Sequence, residues 1–350
     1  MIKKLRMTNF RGVKEGEIEL GDLTILVGSN NSAKTTILEA LFLLPNPLRD
    51  APYILPEPRM QLTAASLIHE MHKTLNCEGY AFLLHKYVSD QAIVKWNNTD
   101  YLRLLKQLDE LYLDTNKISI FPSQSTIRTK SGKVTIFGSL GLSHNTISDL
   151  RNKRNREVFI APNSLLISAE IIRYAQWYIH SNWAQIANLK VPVEVAKDTS
   201  SLVNENFVNI TIEPFLAGRL SIFGLLDDGT RIRLGDLGSG TQVYIVARIL
   251  YEIIKPQILL WDDVEAHMNP RLLVRIAEWF SELNESGVQV VITTHSIETA
   301  RMLTEFNKDA TILVTSLKDG ILKIKKITSD DLERLTSAGI DIRMADAVIL

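Results

Sequence analysis

The chain has 350 residues, of which 45% are hydrophobic and 23% are charged, and its formal net charge is −1. This composition is typical of a globular protein that buries a core without staples, and it excludes a disordered chain, a collagen-like repeat and a disulfide scaffold. The single cysteine, the lack of an apolar run of membrane-spanning length and an N-terminus without a signal-peptide apolar region predict a cytoplasmic protein that does not enter a membrane.

The N-terminal segment predicts a hairpin, a buried strand and a helix, in that order. Polar and apolar residues alternate over Lys4 to Asn9 and over Glu17 to Leu20, as in two paired strands. The almost wholly apolar run Leu23 to Val27 is typical of a strand buried on both faces of a parallel sheet. After a polar loop, apolar residues at helical spacing predict a helix over Thr35 to Leu44 that stops before a proline.

The middle of the chain, residues 97–205, has a different character. Leucines at helical spacing predict an amphipathic helix, and a second helix is predicted to begin at Ser164 and to carry Trp177 and Trp183. The leucines of the first helix are Leu102, Leu105, Leu108 and Leu111. Their stripe is shorter than the roughly three heptads of a coiled coil, so we expect core packing. We interpret residues 97–205 as a mixed α+β region inserted into a body formed by residues 1–96 and 206–350.

The last third of the chain alternates buried strands with helices, which predicts an α/β fold with a mostly parallel sheet. The predicted elements are a helix over Thr241 to Ile254, a strand over Ile258 to Trp261, a helix from the Asn269 cap and Pro270 to Asn284, a strand over Val288 to Thr293, a helix that opens at Ser296, and a hairpin that joins Thr311 to Val314 with Ile321 to Ile327.

A phosphate-binding loop is indicated by Gly28-Ser-Asn-Asn-Ser-Ala-Lys34-Thr35, which follows a predicted strand and opens a predicted helix. In this context, backbone N–H groups and the positive helix N-terminus bind phosphate oxygens, whereas a chance polar loop is the alternative. Lys34 supplies a cation for the β- and γ-phosphates, and the Thr35 hydroxyl is a magnesium ligand. Ala33 replaces the usual second glycine, and we expect it to hold ordinary helical dihedrals and to weaken binding without abolishing it. The ATP-binding residues of this loop are Gly28, Ser32, Ala33, Lys34, Thr35 and Thr36.

The strand predicted over Ile258 to Trp261 ends in paired carboxylates, Asp262 and Asp263, which is the form of a Walker B motif. Asp262 is expected to hold Mg²⁺ through water, and Asp263 to orient or deprotonate the attacking water. The next buried strand leads to His295, and the carboxyl end of such a strand is where ligands bind in open α/β sheets. Alone, His295 would be interpreted as structural, but its order behind the Walker B strand favours a role at the nucleotide.

A glycine-containing segment, Gly238-Ser-Gly-Thr-Gln242, opens the helix that precedes the Walker B strand. Its glycines allow a close backbone approach, and the N-terminus of its helix is a second anion site. A plain turn is the alternative when this segment is considered without its neighbours.

Four motifs follow one another along the chain: the phosphate loop, Gly-Ser-Gly-Thr-Gln, Asp-Asp and Thr-His-Ser. In this order they resemble the motifs of the ABC-type ATPase heads of the SMC, RecF and OLD group. Three details favour this branch over transporter ATPases: the Asn-Phe-Arg start at residues 9–11, the loop form Gly-x-Asn-Asn-Ser, and Asp-Asp-Val-Glu-Ala-His-Met-Asn-Pro from residue 262. The resemblance covers about residues 1–45 and 205–320. It implies a P-loop NTPase of ABC-ATPase type, with a mostly parallel sheet, an antiparallel N-terminal β lobe and an inserted mixed α+β region.

The resemblance further implies that two heads sandwich two ATP molecules with Mg²⁺, each site joining the phosphate loop of one chain to the Gly-Ser-Gly-Thr-Gln signature of the other. His295 then contacts the γ-phosphate, Arg11 reaches the nucleotide, and Asn30 and Asn31 line the phosphates. The implied metal ligands are Thr35 and Asp262. The signature residues that act in trans are Ser239, Gly240, Thr241 and Gln242.

Two positions depart from the family pattern. The residue expected to be a catalytic glutamate is Asp263, and its shorter carboxylate can retract from the lytic water by roughly 1 Å, a misplacement that can cost about a hundredfold in rate. The second glycine of the signature is Thr241, a change common in the RecF-like and OLD-like branch. Hydrolysis is therefore expected to be slow, and Glu265 is either a substitute base or a cap of the following turn.

Other chemistry has little support in the sequence. OLD-type nucleases carry a Toprim domain after the ATPase, but no Glu plus Asp-x-Asp set follows His295, and Asp330-Asp331 is expected to start a helix behind Ser329. His69-Glu-Met-His72 is one residue short of the zincin pattern, so we expect no metal there.

Two basic segments are candidates for contact with the DNA backbone, although a solvated surface is the alternative for both. A net charge near zero gives no global attraction to nucleic acid, so binding would depend on such patches. The candidate residues are Lys3, Lys4, Arg151, Lys153, Arg154 and Arg156.

We therefore expect an ATP-binding ABC-type ATPase that hydrolyses ATP, dimerises around it, and acts in DNA maintenance, DNA repair or anti-phage defence with a separate effector such as a nuclease. Two alternatives stay open. One is the ATPase subunit of a membrane transporter, and the other is a scaffold that uses ATP to hold two copies together without hydrolysing it.

Overall fold

The computed structural model describes residues 1–44, 46–75, 80–107, 110–115, 140–142, 164–203 and 205–341. No helix in these ranges combines the length and the apolarity that crossing a membrane requires. The basic segment Arg151 to Arg156, together with Cys77 and Leu108, lies outside the described residues.

The described residues form strands and helices in the following order along the chain. The strands are β1 (Lys4–Phe10), β2 (Val13–Glu19), β3 (Leu23–Val27), β4 (Asp50–Leu55), β5 (Met60–Thr63), β6 (Gln91–Trp96), β7 (Asp100–Gln107), β8 (Glu110–Thr115), β9 (Leu140–Leu142), β10 (Ser164–Ile167), β11 (Phe207–Pro214), β12 (Leu220–Leu226), β13 (Arg231–Arg233), β14 (Ile258–Trp261), β15 (Gln289–Thr294), β16 (Thr311–Lys318) and β17 (Ile321–Ile327). The helices are α1 (Lys34–Leu43), α2 (Ala64–His72), α3 (Ile172–Ser181), α4 (Trp183–Asn188), α5 (Val191–Ser200), α6 (Ser239–Ile254), α7 (Pro270–Glu285), α8 (Ile297–Phe306) and α9 (Ser329–Ser337).

A twelve-stranded sheet runs through this part of the molecule in the order β10-β14-β15-β3-β16-β17-β2-β1-β6-β7-β8-β9. The first five strands are parallel to one another. On the other side, β1, β2, β6, β7 and β8 pair antiparallel and form the N-terminal β lobe. The fold class predicted from the sequence, an α/β fold with a mostly parallel sheet and an antiparallel N-terminal lobe, is confirmed. A separate antiparallel sheet, β11-β12-β13, packs on α5.

The parallel half of the sheet contains the core. Strands β3, β14 and β15 are buried along their whole length, and α1, α7 and α8 pack against β15. At the end of β14, the ring of Trp261 meets that of Trp279 on α7 edge to face, with centroids 6.4 Å apart. Because these strands are covered, a ligand can reach them only at their ends.

The elements that carry the candidate site residues, β3, α1, α6, β14, α7 and β15, agree with the sequence prediction to within two residues at each end, whereas β16 extends four residues beyond its predicted end. Asn269 caps α7 by accepting a hydrogen bond from the backbone N–H of Leu272 at 2.9 Å. Ser296 caps α8 in the same way, through the N–H of Thr299 at 3.1 Å. The cap of α9 is Thr328, one residue before the predicted Ser329.

The helix predicted from the leucine spacing is wrong, because this segment forms β7 and β8 at the edge of the β lobe. Leu102 and Leu104 are buried and Arg103 between them is less so, which is the alternation of a strand. Asn97 and Asn98 precede β7 with left-handed φ values of 48° and 69°, as a tight hairpin requires. By pairing with β6, β7 satisfies the backbone N–H and C=O groups along an otherwise open edge of the sheet. This pairing outweighs the preference for a helix that the leucine spacing indicates.

The helix predicted to begin at Ser164 is also wrong at its start. Residues Ser164–Ile167 form β10, which pairs with β14 in parallel, and the helices that carry Trp177 and Trp183 are α3 and α4. A short apolar run cannot be assigned to strand or helix from spacing alone. Here the run forms a strand because it pairs with the edge of β14, which would otherwise be open. The interpretation of residues 97–205 as an inserted region stays a prediction. Within these residues, β7 and β8 extend the N-terminal β lobe, and β10 belongs to the parallel half of the sheet.

Candidate functional site

The carboxyl ends of three adjacent parallel strands meet at one edge of the sheet and form the candidate site. β3 leads into the phosphate loop, β14 into Asp262 and Asp263, and β15 into His295. The register places Ile25 beside Ile292, and Ile292 beside Trp261. Since ligands of open α/β sheets bind at this edge, the strand register brings the predicted phosphate-binding and Walker B residues to the right place.

The phosphate loop is anchored to β16. Gly28 has φ 150°, and a Cβ at this position would lie 2.4 Å from the carbonyl oxygen of Thr315. Ser32 Oγ lies 2.9 Å from Thr315 Oγ1, which also donates to the carbonyl oxygen of Val27 at 3.2 Å. Position 28 therefore requires glycine. The anchoring by Thr315 had no signal in the loop sequence, because the two segments are distant along the chain.

Ala33 is the N-cap of α1 and has φ 71°, in the left-handed region. The expectation of ordinary helical dihedrals is therefore wrong: the alanine takes the conformation that the usual glycine would take, because the chain turns sharply from the loop into α1. A left-handed conformation costs a residue with a Cβ about 1–2 kcal/mol. Asn30 and Asn31 are exposed on the same loop, and Asn31 is left-handed as well, with φ 63°.

The amino group of Lys34 lies over the loop and is largely buried. Its Nζ donates to the carbonyl oxygens of Gly28 and Ser29 at 3.0 and 2.9 Å. The first turn of α1, which contains Thr36, has no acidic residue and no side-chain cap. The positive end of the helix is therefore not neutralised by a carboxylate of its own first turn, and the ammonium group adds to its attraction for an anion.

Thr35 and Asp262 form the candidate magnesium site. Thr35 Oγ1 donates to the Asp262 carboxylate at 3.0 Å, and Thr293 Oγ1 donates to it at 2.7 Å. Burial raises the pKa of Asp262, the hydrogen bond from Thr293 opposes this shift, and the charge of Asp263 adds to it. A cation placed here would offset both unfavourable contributions.

The donor set also fits Mg²⁺ chemically. Among the described residues, no group of three or more histidine, cysteine or acidic side chains could hold a metal ion. Mg²⁺ is usually held by one or two protein oxygens together with phosphate oxygens and water, rather than by a complete protein cage. A hydroxyl and a carboxylate beside a phosphate loop match that requirement.

Asp263 and His295 face each other across the site. His295 Nε2 lies 3.3 Å from Asp263 Oδ1, and the two side chains are 31% and 49% exposed. Asp263 has φ 48°, and its backbone N–H donates to Thr293 Oγ1 at 2.7 Å. Thr293 therefore fixes the carboxylate of Asp262 and the backbone of Asp263. The sequence analysis assigned Thr293 no role beyond ending the predicted strand.

Glu265 lies behind His295. Its Oε1 accepts a hydrogen bond from the backbone N–H of His295 at 2.6 Å, and its Oε2 is buried. Glu265 thus holds the turn that carries the imidazole. This contact favours a positioning role over the two that the sequence suggested, a substitute base and a cap of the following turn.

The signature segment starts α6 and packs on the turn that follows the Walker B residues. A Cβ on Gly240 would lie 2.4 Å from the carbonyl oxygen of His267, so contact within one chain already requires glycine. Ser239 is exposed, Thr241 is half-buried, and Gln242 Nε2 donates to a backbone carbonyl of the preceding turn at 2.8 Å. The exposed Ser239 leaves this end of α6 accessible to a second molecule.

Arg11 lies beside the site, held by two side chains that the sequence analysis did not assign to it. Its guanidinium pairs with the fully buried Glu39 of α1, and its Nη2 lies 3.4 Å from Nδ1 of His72. Burial lowers the pKa of Arg11 to about 10, and the charge of Asp262 is one of the contributions that oppose this shift. A lone acid in the apolar stretch after the phosphate loop was the available signal for Glu39, because a buried charge requires a partner.

The N-terminal candidates for DNA contact are paired with acids. Lys3 lies 2.9 Å from Asp22, and Lys4 lies 2.6 Å from Glu17. The acids come from β2 and the turn after it, which the antiparallel pairing brings beside β1. These lysines therefore present less net charge than a count along the first residues suggests.

Comparison with family models assigns the chain to a family. Residues 102–301 match the model described as "AAA domain, putative AbiEii toxin, Type IV TA system", and residues 1–157 match the model described as "AAA ATPase domain". Since the first match covers more than half of the chain, the chain belongs to this AAA domain family. It is an ATPase domain of the AAA type.

Solved structures confirm the ABC-type head fold. A SmcHead bound to the C-winged helix domain of ScpA is 13% identical, covers 94% of this chain and 99% of that chain, and superposes with a TM-score of 0.56. An Smc head domain with an extended coiled coil, derived from Pyrococcus furiosus, is 12% identical, covers 96% and 98% of the two chains, and gives a TM-score of 0.50. At these identities the likeness establishes the fold alone.

Curated relatives match over short segments. The arginine transport ATP-binding protein ArtP of Haemophilus influenzae is 34% identical over 64 residues, which is 18% of this chain and 26% of that protein. The protein MJECL10 of Methanocaldococcus jannaschii is 48% identical over 44 residues, 12% of this chain and 20% of that protein. The chain thus spans about a quarter or less of the length of these relatives.

We predict that Ala33→Gly stabilises the protein and tightens ATP binding. Glycine adopts φ 71° without a Cβ clash, so the free energy of unfolding should rise by about 1 kcal/mol and the Kd for ATP should fall severalfold. Denaturant unfolding and calorimetry measure the two effects. Ala40→Gly, in the interior of the same helix, is the matched control and should lose about 1 kcal/mol or more. Equal destabilisation by both substitutions would contradict the strain argument.

Proposed function

We propose that this chain binds ATP with Mg²⁺ at the edge of its parallel sheet, hydrolyses the ATP slowly and dimerises around it. One observation carries the proposal: a continuous set of contacts joins Thr35, Asp262, Thr293, Asp263 and His295. It links the end of the phosphate loop to the groups that face the position of a γ-phosphate. Membership of an AAA domain family and the fold of an SMC head support this interpretation.

The phosphate loop holds the triphosphate in this proposal. Lys34 exchanges the carbonyl oxygens of Gly28 and Ser29 for phosphate oxygens, which are stronger acceptors because they are charged. Asn30 and Asn31 line the phosphates from the exposed side of the loop. Thr35 and Asp262 hold Mg²⁺, the latter through water, and the ion neutralises charge on the phosphate oxygens.

Asp263 is the proposed general base. Its carboxylate is half-exposed, so an attacking water can reach it, and Thr293 fixes its backbone. His295 lies within 3.3 Å of the same carboxylate and is placed to donate from its ring to the γ-phosphate. Aspartate reaches less far than glutamate, and this supports slow turnover.

Dimerisation would complete the site. Ser239 is exposed at the N-terminus of α6, where the positive end of a 16-residue helix and a hydroxyl can meet the γ-phosphate held by a second chain. Gly240 and Gln242 shape this helix start through contacts within the chain, and Thr241 lies between them. The resemblance to sandwiching ATPase heads supports the arrangement.

The cellular role that we propose is DNA maintenance, DNA repair or anti-phage defence, exerted with a separate effector. Its support is the fold shared with SMC heads and the family description that mentions a toxin–antitoxin system. Because Lys3 and Lys4 are paired with acids, we propose that DNA contact depends mainly on the other basic segment. Its residues are Arg151, Lys153, Arg154 and Arg156.

We predict that Asp263→Asn lowers ATP turnover at least a hundredfold and leaves the Kd for ATP within about threefold, because it removes the base and keeps the phosphate loop. Asp263→Glu should be faster than the wild type. Glu265→Gln should keep much of the activity, since its amide oxygen can still accept the His295 N–H. Steady-state phosphate release and calorimetry measure these effects, with Lys34→Ala as the control that loses binding.

Two results would contradict the assignment of the base. Loss of turnover in Glu265→Gln, with activity retained in Asp263→Asn, would exchange the roles of the two acids. A wild-type protein that binds ATP tightly and never hydrolyses it would favour the alternative interpretation, a scaffold in which ATP only holds two copies of the chain together.

We predict that ATP with Mg²⁺ doubles the mass of the Asp263→Asn protein in light scattering, since slow hydrolysis preserves the sandwich. Ser239→Arg should block this increase by placing a long side chain at the interface. Ser286→Arg, an exposed serine after the far end of α7, is the matched control and should dimerise normally. A mass that does not depend on ATP, or equal behaviour of the two arginine variants, would contradict the sandwich.

We predict that duplex DNA binds more tightly with ATP than without it, because two copies of a weak patch act together in a dimer. Neutralising Arg151, Lys153, Arg154 and Arg156 should weaken binding for all sequences and flatten its salt dependence. Neutralising Lys3 and Lys4 should change little, because both are paired. Anisotropy titrations at two salt concentrations measure this, and an affinity that ignores ATP and both sets of substitutions would contradict DNA binding.

A further inference from the structure

A charge cluster around one buried acid, beside the phosphate-loop helix, has no part in the hydrolysis proposed above. It consists of Arg11 in the turn between β1 and β2, Glu39 on α1 and His72 at the end of α2. The Glu39 side chain is fully buried. One of its carboxylate oxygens pairs with the guanidinium of Arg11, and the other with Nε2 of His72.

His72 contacts both other members of the cluster. Its Nδ1 lies 3.4 Å from Nη2 of Arg11, while its Nε2 faces Glu39. Burial, and next the charge of Arg11, lower the pKa of His72 to about 4, so the ring is neutral at pH 7. A neutral imidazole has one donor and one acceptor nitrogen. Nε2–H therefore donates to Glu39, and Nδ1 accepts from Arg11.

The backbone of Arg11 is fixed as well. Its N–H donates to the carbonyl oxygen of Leu83 at 2.9 Å, and its own carbonyl oxygen lies 3.0 Å from Nδ1 of His85. The residue is left-handed, with φ 52°, and the guanidinium carbon lies 5.9 Å from the centroid of the Phe82 ring. Both ends of the Arg11 side chain are thus held before any ligand arrives.

The cluster is connected to the candidate magnesium site through α1, which carries both Glu39 and Thr35. Arg11 and His72 line a cavity of about 890 Å³, and the charge of Asp262 contributes to the pKa of both residues. Glu39 follows Thr35 by four residues in α1, so the two side chains lie about one helical turn apart on the same face. The acid that holds Arg11 and the hydroxyl of the candidate magnesium site are therefore carried by one rigid element.

We infer that Glu39 and His72 are positioning residues that hold the Arg11 guanidinium beside α1, the helix that carries Thr35, where it binds the anionic part of ATP. The inference rests on the proposed function, because the ligand is the nucleotide of the same site. Arginine has five N–H donors in a planar fork, and Glu39 and His72 engage two of its nitrogens. Contacts to phosphate from the remaining donors would be charge-assisted. Because the side chain is already ordered, binding costs less conformational entropy.

A double-mutant cycle tests whether His72 acts through Arg11. The Kd for ATP is measured by calorimetry for the wild type, Arg11→Ala, His72→Phe and the double variant. We expect each single substitution to raise the Kd at least fivefold, and the double variant to be no weaker than Arg11→Ala alone. Should His72→Phe fail to fold, His72→Ala replaces it in the same cycle.

Two further variants separate positioning from a structural role. His72→Gln should keep the Kd within about twofold of the wild type, since an amide can donate to Glu39 and accept from Arg11. His69→Phe is the matched control: His69 lies one turn earlier on α2 and lines the same cavity, but its ring contacts Glu70 and Tyr80. It should leave the Kd unchanged.

The outcomes distinguish this inference from the proposed function. A wild-type protein that binds no ATP overturns both. ATP binding that His72→Phe leaves unchanged, or single effects that add in the double variant, overturns the positioning role alone. The positioning role is also overturned if His69→Phe and His72→Phe weaken ATP binding equally and lower the melting temperature equally. That pattern would indicate damage to α2 and the cavity wall.

Discussion

The candidate site depends on one constraint, the parallel register of β3, β15 and β14. With Ile25, Ile292 and Trp261 aligned across the three strands, the carboxylate of Asp262 comes within hydrogen-bond distance of Thr35 and Thr293. A slip of one residue would turn each side chain to the opposite face of the sheet and separate these groups. The register is secure because all three strands are buried on both faces, so a slip would disrupt the core.

The same rigid scaffold permits unfavourable features to accumulate at its edge. Ala33, Asp263 and His267 all have left-handed backbones, and Asp262 is a partly buried carboxylate next to another acid. Each costs stability, and such features persist where the surrounding structure leaves no alternative conformation. Their concentration around one strand edge is what we expect of a surface shaped for a phosphate and a cation rather than for stability alone.

Charge pairing decides which cations can serve a ligand. Lys3 and Lys4 are offset by acids from the neighbouring strand and turn, at the protein surface, where such pairs contribute little to stability. Arg11 is offset by a fully buried acid on the phosphate-loop helix, and this pairing orders the guanidinium beside the cavity. The first arrangement weakens a candidate DNA contact, whereas the second, in the positioning role that we propose, orders a residue for the nucleotide. Both depend on how strands and helices pack, not on local composition.

The sequence by itself determined the phosphate loop, the Walker B pair, the signature and the strand–helix order around them, because these depend on local spacing, capping and runs of buried residues. Tertiary structure alone decided that the leucine stripe is a strand pair, since an open sheet edge outweighs helical spacing, and that Ala33 is left-handed, since the turn into α1 imposes it. It also decided the partners of the site residues. Thr293, Thr315, Glu39 and Glu265 act on groups far away in sequence, and only the folded sheet brings them into contact.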